Sequence, residues 1–594
     1  MIRTLPTHLT FLLLAACVGK DGGLVPDDGS DLDSAGDSAA DTAPPADTDA
    51  DGTPDDDDCA PTDATVHSGA TEACNGVDDN CDGAVDENVT PTWYVDDDAD
   101  GYAGTPVLAC EPPAGADTEA RDCDDADAAI SPAAVEVCGD GVDDDCVGGD
   151  RMCAPDGDVG VGAATTIYRG GPDGHLGSSG ARAGDVDGDG LGDVWIGAFG
   201  YGSAEYAGAV FLVPGAVTGE HLVETIAPLY MYSTTNRGFA GTIAGGQDLD
   251  GDGVPDAAVG ASGAWTYGAV YIVSGTTTGS MSFASSAGLI TAGSDAYDGV
   301  GTSVAASPDL TGDGVADVIV GSSGLVEDGP GGTAWILAGP VTGDHTVDEG
   351  LVIRGDRESG GTGNSVAALG DVNGDGAPDL LVGAYGSDLG DDGAGAVGVF
   401  HGPLLGDVTF ADADRHVGGE ITNDWFSRGE IGGEGDVDGD GLDDFLVGAP
   451  YNMQGGFYTG AVYVVSGSST ASGLEAAAAT TARVYGTDLD GAVARGQTLA
   501  DVDADGHADL LLALGRGDTT PAEGAVLVFY GPVAGAYGPS DADARYLGEA
   551  DGDGLGSAIA NVGDTNGDGL DDLLLGASSS SAFGVGGGAA YLMR

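Results

Sequence analysis

The sequence predicts an all-β protein: seven equivalent four-stranded units, preceded by a disulfide-rich, loop-rich acidic region. Three observations lead there. An acidic nine-residue loop starts at Asp185, Asp248, Asp309, Asp371, Asp436, Asp501 and Asp564, with steps of 63, 61, 62, 65, 65 and 63 residues. A period that regular means stacked, equivalent units. Each loop is followed by two short apolar runs, Val194-Trp-Ile-Gly-Ala and Gly208-Ala-Val-Phe-Leu-Val in the first unit, separated by Gly and Asp and without a long helical period, the pattern of strands. Finally, eight of the nine cysteines lie between Cys59 and Cys153, in a stretch with little to bury.

The loops carry the chemistry. In the first, Asp185-Val-Asp187-Gly-Asp189-Gly-Leu-Gly-Asp193, carboxylates hold positions one, three, five and nine, and Gly190 holds position six. The same four positions are filled by Asp248, Asp250, Asp252 and Asp256, then by Asp309, Thr311, Asp313 and Asp317, and then by Asp371, Asn373, Asp375 and Asp379. Asp436, Asp438, Asp440 and Asp444 follow, then Asp501, Asp503, Asp505 and Asp509, and last Asp564, Asn566, Asp568 and Asp572. A hard cation takes six to eight oxygens at about 2.3–2.6 Å, which a tight loop supplies from alternate side chains. The spacing therefore points to calcium, with a solvated acidic turn as the alternative for any single loop. Ala504 stands at a turn glycine of the sixth loop. Glu549-Ala-Asp551-Gly-Asp553-Gly looks similar but has Ser557 at position nine and falls outside the period, which excludes it.

At the beginning of the chain, residues 1–16 carry Arg3 and the apolar run Leu9–Ala16, too short to span a bilayer and consistent with a cleaved signal. Leu14-Ala15-Ala16-Cys17 resembles the lipobox of bacterial lipoproteins. That resemblance implies a lipidated Cys17 and a chain anchored at the bacterial outer membrane or cell surface; the alternative is an ordinary export signal. Residues 17–58 are an acidic, solvated tether. Its end, Asp47-Thr-Asp49-Ala-Asp51-Gly-Thr-Pro-Asp55-Asp-Asp-Asp58-Cys59, resembles one thrombospondin type 3 calcium repeat, with a disordered acidic linker as an equal reading. The formal charge of −84 argues against nucleic acid as a partner, because like charges repel.

Residues 59–153 hold two cysteine modules: Cys59, Cys74 and Cys81 recur as Cys123, Cys138 and Cys146. They resemble the cysteine- and aspartate-rich metal-binding module of secreted bacterial proteins. No CxxC occurs, and disulfides are the default in an exported chain; the pairing stays open. Asp78, Asn80, Asp82 and Asp86 form a further calcium candidate. Asp96-Asp-Asp98-Ala-Asp100-Gly lacks a carboxylate at position nine, so a metal site and a plain acidic turn stand equal there.

From residue 154 to residue 594 the units, opening on Leu176-Gly177, Val300-Gly301, Phe426-Ser-Arg, Arg495-Gly496 or Leu555-Gly556, resemble FG-GAP repeats. That resemblance implies the seven-bladed β-propeller of integrin α subunits. The chain stops after the second strand of unit seven, and Ala164-Thr-Thr-Ile-Tyr-Arg169 resembles the outer strands of other units. It is expected to complete blade seven and close the ring.

The reading that follows is a monomeric, surface-anchored calcium-binding propeller, a binding or adhesion module or scaffold for a surface protein or polysaccharide. The alternative is a secreted carbohydrate-active hydrolase or lyase. The sequence offers no HExxH, GxSxG or P-loop, so no enzyme is assigned. Asp424, Glu430 and Glu434 break the seven-fold pattern and would be the carboxylates to watch. Two Arg-Gly-Asp triplets, at 354–356 and 516–518, read as turns.

Overall fold

In the computed structural model, described residues run from 46 to 594 apart from 88, 119, 133, 135–145, 147–156, 202–206, 234–240, 265–266, 293–298, 326–330, 356–359, 390–392, 434, 468–479, 488–492, 495, 504, 516–523 and 583. The signal segment, Cys17, Cys138, Cys153, Glu434, Asp356 and the second Arg-Gly-Asp triplet lie outside the described residues. Two units are present. One consists of the chain up to Val95 with Thr105–Ala120, the other of Asp96–Gly104 with Arg121–Arg594.

In the first unit, disulfides do the work of a core. Cys59 pairs with Cys81 and Cys74 with Cys110, while Val66 is its one buried apolar residue among those described. So little apolar burial needs covalent staples. Thr92–Val95 and Thr105–Leu108 form an antiparallel hairpin. The Trp93 indole donates to the carbonyl of Ala109, the residue before Cys110. In the second unit Cys123 pairs with Cys146.

The rest of the second unit is the propeller. In blade one, the inner strand Leu176–Gly184 leads through the acidic loop into Asp193–Ala198, then Ala209–Val213 and the outer strand Leu229–Tyr232, each antiparallel to the one before. The middle strands are buried throughout, which is why they read as unbroken apolar runs. Seven hydrophobic clusters fill the spaces between successive blades, with Trp195 wedged between blades one and two and Trp335 between two and three. The inner strands stand around the centre, and that of blade seven, Leu555–Gly563, packs against that of blade one.

A blade carries more than its four expected strands. Among the described residues, six of the seven blades receive a short strand from the unit that follows, paired in parallel with the outer strand: Gly279–Ser282 with Leu229–Tyr232, for example, and Gly343–Thr346 with Gly288–Thr291. A single helical turn follows, inserting one buried side chain such as Phe283, Val347 or Phe410.

Closure matches the expectation and extends it. Thr166–Arg169 pairs antiparallel with the last strand, Ala589–Met593, and so completes blade seven. Just before it, Gly157–Gly160 pairs in parallel with Ala544–Leu547 of blade six. Residues 157–169 therefore supply all that unit seven lacks: the strand lent backward, the turn that buries Val161, and the outer strand. Arg169 bolts the seam. Buried itself, it meets Glu549 at 2.6 Å and Glu220 at 2.8 Å and donates to the Tyr591 hydroxyl at 3.1 Å. This gives the excluded Glu549 segment its role.

One unit opening is corrected. The glycines opening the inner strands take left-handed backbone, φ +80° at Gly177, +79° at Gly301 and Gly363 and +89° at Gly556; in blade six this conformation belongs to Ala494, φ +70°, rather than to the Gly496 read from the sequence. Val493 before it is buried and donates its N–H to Thr459. In blade five Ser427 takes that place at φ +72°.

Candidate functional site

Each acidic loop follows the C-terminal end of an inner strand and is held by its own side chains. The position-one carboxylate accepts the N–H of the position-six glycine at 2.6–3.0 Å in all seven loops. The position-five carboxylate accepts the position-seven N–H at 2.8–3.0 Å, again in all seven. With these turns satisfied, the remaining oxygens of alternate side chains converge.

Position nine is the first residue of the second strand or directly precedes it, which buries it: Asp193, Asp256, Asp317, Asp379, Asp444, Asp509 and Asp572 are all inside. In six loops one oxygen accepts the position-two N–H at 2.7–3.1 Å; in the third, Thr311 at position three donates instead, at 2.7 Å. In six loops the other oxygen accepts a glycine N–H of the turn after the third strand at 2.8–3.3 Å. The closing aspartate thus ties loop, strand and next turn together.

Burial pushes these carboxyls up, to about 6 at Asp193, Asp379 and Asp572 and about 7 at Asp256, Asp444 and Asp509. The backbone donors only partly offset it, and neighbouring loop carboxylates add to it. Asp309 Oδ1 and Asp438 Oδ1 are buried without a hydrogen-bond donor. An all-oxygen, acidic cluster with such orphaned atoms fits a hard divalent cation.

In the first unit Asp78, Asn80 and Asp82 make the same turns, but Asp86 does not close the loop. Its carboxylate instead accepts the N–H groups of Asn75 and Gly76 at 2.9–3.0 Å. Glu72 takes the closing place, accepting from Asn80 N–H at 2.7 Å and Asp86 N–H at 3.2 Å. Sequence spacing could not find it, because it precedes the loop.

The other end of the propeller is different. A channel of about 860 Å³ opens between the starts of the inner strands, lined in part by Ser179, Ile243, Ser303 and Ile559. About six residues of inner strand, roughly 20 Å, separate this mouth from the loops. Here blade five departs: its inner strand shrinks to Ile431–Gly432. Arg428 lies over Trp425 at 4.1 Å, Tyr385 at 5.4 Å and Tyr451 at 5.5 Å, and Tyr458 and the 73 % exposed Phe457 continue the aromatic surface.

Among the described residues, the off-pattern carboxylates Asp424 and Glu430 have separate partners. Asp424 is buried, pushed up to about 6 by that burial, and accepts from Asn452 at 3.0 Å. Glu430 lines the channel and accepts the Gln497 N–H at 3.0 Å; the protein packed around it pushes its carboxyl upward, partly offset by that hydrogen bond. His175 stacks on Phe199 with ring centroids 4.4 Å apart, a packing role.

Comparison with known proteins bears on both regions. The FG-GAP repeat family matches residues 362–400, 434–465 and 555–593. The family described as "Putative metal-binding motif" matches residues 58–87 and 122–150. Integrin alpha pat-2 of Caenorhabditis briggsae is 41% identical over 90 residues, 15% of this chain and 7% of the relative. Integrin alpha-7 of Rattus norvegicus is 35% identical over 164 residues, 27% of this chain and 14% of the relative. Phosphatidylinositol-glycan-specific phospholipase D of Bos taurus is 31% identical over 178 residues, 26% and 20% respectively. The chain thus spans a fifth or less of the length of these curated relatives.

Proposed function

We propose, on the premise that this is an FG-GAP, integrin α-like chain with an N-terminal metal-binding-motif region, that it is a calcium-loaded, surface-anchored propeller acting as a binding or adhesion module. The observation that carries the metal is the seven-fold repetition of one loop geometry around a buried closing carboxylate. Calcium fits best because every donor is oxygen and the loops are turns able to follow its flexible coordination. The lipid anchor through Cys17 belongs to this proposal.

The contact face proposed is the channel mouth at blade five, where Arg428 among aromatic rings offers stacking area and a fixed cation to a protein or polysaccharide. The enzymatic reading has no such support, since Asp424 and Glu430 each have separate partners.

The test is a melt of the full chain in calcium and in excess chelator, with bound calcium counted by elemental analysis. A site at about a hundred times its dissociation constant adds roughly 2.7 kcal/mol. Seven even partly additive sites would rival a domain's usual net stability of about 5–15 kcal/mol. Seven propeller ions and a collapse of the melting temperature on chelation are the expected result; an unchanged melt with few ions would reduce the loops to solvated turns.

A further inference from the structure

The loop at Asp96 has Gly104 where the propeller loops carry their position-nine carboxylate, and the fold brings a carboxylate from elsewhere. Asp96, Asp98 and Asp100 hold one carboxylate oxygen each within 4.8 Å of one another, and so do Asp47, Asp49 and Asp51. On the first group stands Asp122, 22 residues beyond Asp100 in the sequence. The N–H groups of Arg121 and Asp122 both donate to the Ala103 carbonyl, at 2.9 and 3.4 Å. Asp97 N–H donates to Asp125 Oδ1 at 3.1 Å. The two segments are therefore sewn together along the backbone.

Asp122 is only 8 % exposed. Its Oδ1 accepts the Asp124 N–H at 2.9 Å, while its Oδ2 is buried with no donor. The charged groups that bear on it are all carboxylates, Asp100, Asp98 and Asp125. Asp98 Oδ2 and Asp100 Oδ2 are likewise buried and unpartnered. A buried carboxylate oxygen among other carboxylates is strongly disfavoured unless a cation joins it.

The Asp47 loop differs: it has its own position-nine carboxylate, Asp55, which accepts the Thr48 N–H at 2.7 Å, and Asp58 stands beside it. Asp58, 9 % exposed, gives its Oδ1 to the Ala60 N–H at 2.8 Å and leaves Oδ2 buried without a donor. Asp49 feels Asp51, Asp58 and Asp47. Asp58 and Asp122 each directly precede a disulfide-bonded cysteine, Cys59 bound to Cys81 and Cys123 bound to Cys146. The pairing removes thiolates from the donor set, which leaves oxygen alone and disfavours soft metals.

We propose that Asp96, Asp98, Asp100 and Asp122 form a further site for a calcium-type divalent cation, closed by the aspartate before a disulfide cysteine. The 96–100 loop falls outside the matched motif segments, the second of which begins at Asp122, and the proposal is independent of the seven propeller loops. The bound ion fixes the aspartate and so shields the neighbouring disulfide.

The experiment is reductant treatment of the full chain in calcium, in magnesium and in chelator, with thiol labelling resolved cysteine by cysteine. At ten times the dissociation constant, calcium slows reduction of Cys123–Cys146 about tenfold by holding the module closed. Asp122→Asn and, as a near-isosteric substitution within the loop, Asp98→Asn each abolish protection of Cys123–Cys146, lower the calcium count by one, and leave both the reduction rate of Cys59–Cys81 and the calcium-dependent propeller melt unchanged. Equal rates in calcium and chelator, or protection that survives in Asp98→Asn, would overturn the proposal.

Discussion

At residue scale the positive-φ glycines divide into two kinds, and the division predicts which tolerate a side chain. Gly177 opens the first inner strand at φ +80°, and a Cβ there would meet the Ala589 carbonyl oxygen at 2.2 Å. Gly188, at position four of the first loop, has the same φ but open space around it. Gly177→Ala is therefore expected to cost about 3 kcal/mol or more, through a backbone clash added to left-handed strain, whereas Gly188→Ala costs about 1 kcal/mol from strain alone. Chemical denaturation of the two variants measures the difference; equal costs would mean the strand opening relaxes. Sequence reading found Gly177 because a Leu-Gly pair announces it. It missed Ala494 because alanine rarely takes that conformation, and the nearest glycine, Gly496, was the natural but wrong choice. Glu72 was hidden for a related reason, since a closing carboxylate that precedes its loop follows no spacing rule.

The acidic loop is the element the sequence exposes most fully, because its oxygens must alternate and its glycine must turn, whatever surrounds it. The burial of its ninth residue has a pH consequence. A carboxyl raised to about 6–7 in the fold, as at Asp256, Asp444 and Asp509, contributes stability that is fully present below the unfolded value near 4. That contribution is lost as pH rises through 6 to 7. The chelated chain should accordingly melt higher at pH 6 than at pH 8. Saturating calcium, taking the proton's place, should remove or reverse that slope. Calorimetry at both pH values with and without calcium decides it, and a chelated chain that melts lower at pH 6 would contradict the assigned burial. The lent strands were illegible for the opposite reason: Gly219–Leu222, Gly279–Ser282 and Gly343–Thr346 are polar and largely exposed, so no apolar alternation marks them. Only the backbone of the preceding blade, whose edge they cover, shows why they exist.

For the whole molecule, the seam is where the seven-fold repetition is broken and mended. Removing residues 1–169 takes away two strands at once, from blades six and seven, together with Arg169, leaving Glu549 with the Tyr591 hydroxyl but no cation. A chain starting at residue 157 should keep the cooperative melt of the intact propeller, and one starting at residue 170 should lose it or associate through its open edge, as sedimentation and thermal melts would report. A cooperative monomer without residues 157–169 would refute the seam. Ring closure was half legible: the outer strand at Thr166–Arg169 matches its counterparts in other units, while Gly157–Gly160 has no such pattern to betray it. The seam also sets a clock on biogenesis. Arg169 and Tyr591 are 422 positions apart, so at synthesis rates of about 5–20 residues per second the first strand of the join waits roughly 20–80 s for its partner. Throughout that interval the nascent ring is an unfinished crescent with a sticky end. Export or chaperone holding until the final residues emerge is the condition under which such a chain folds rather than aggregates.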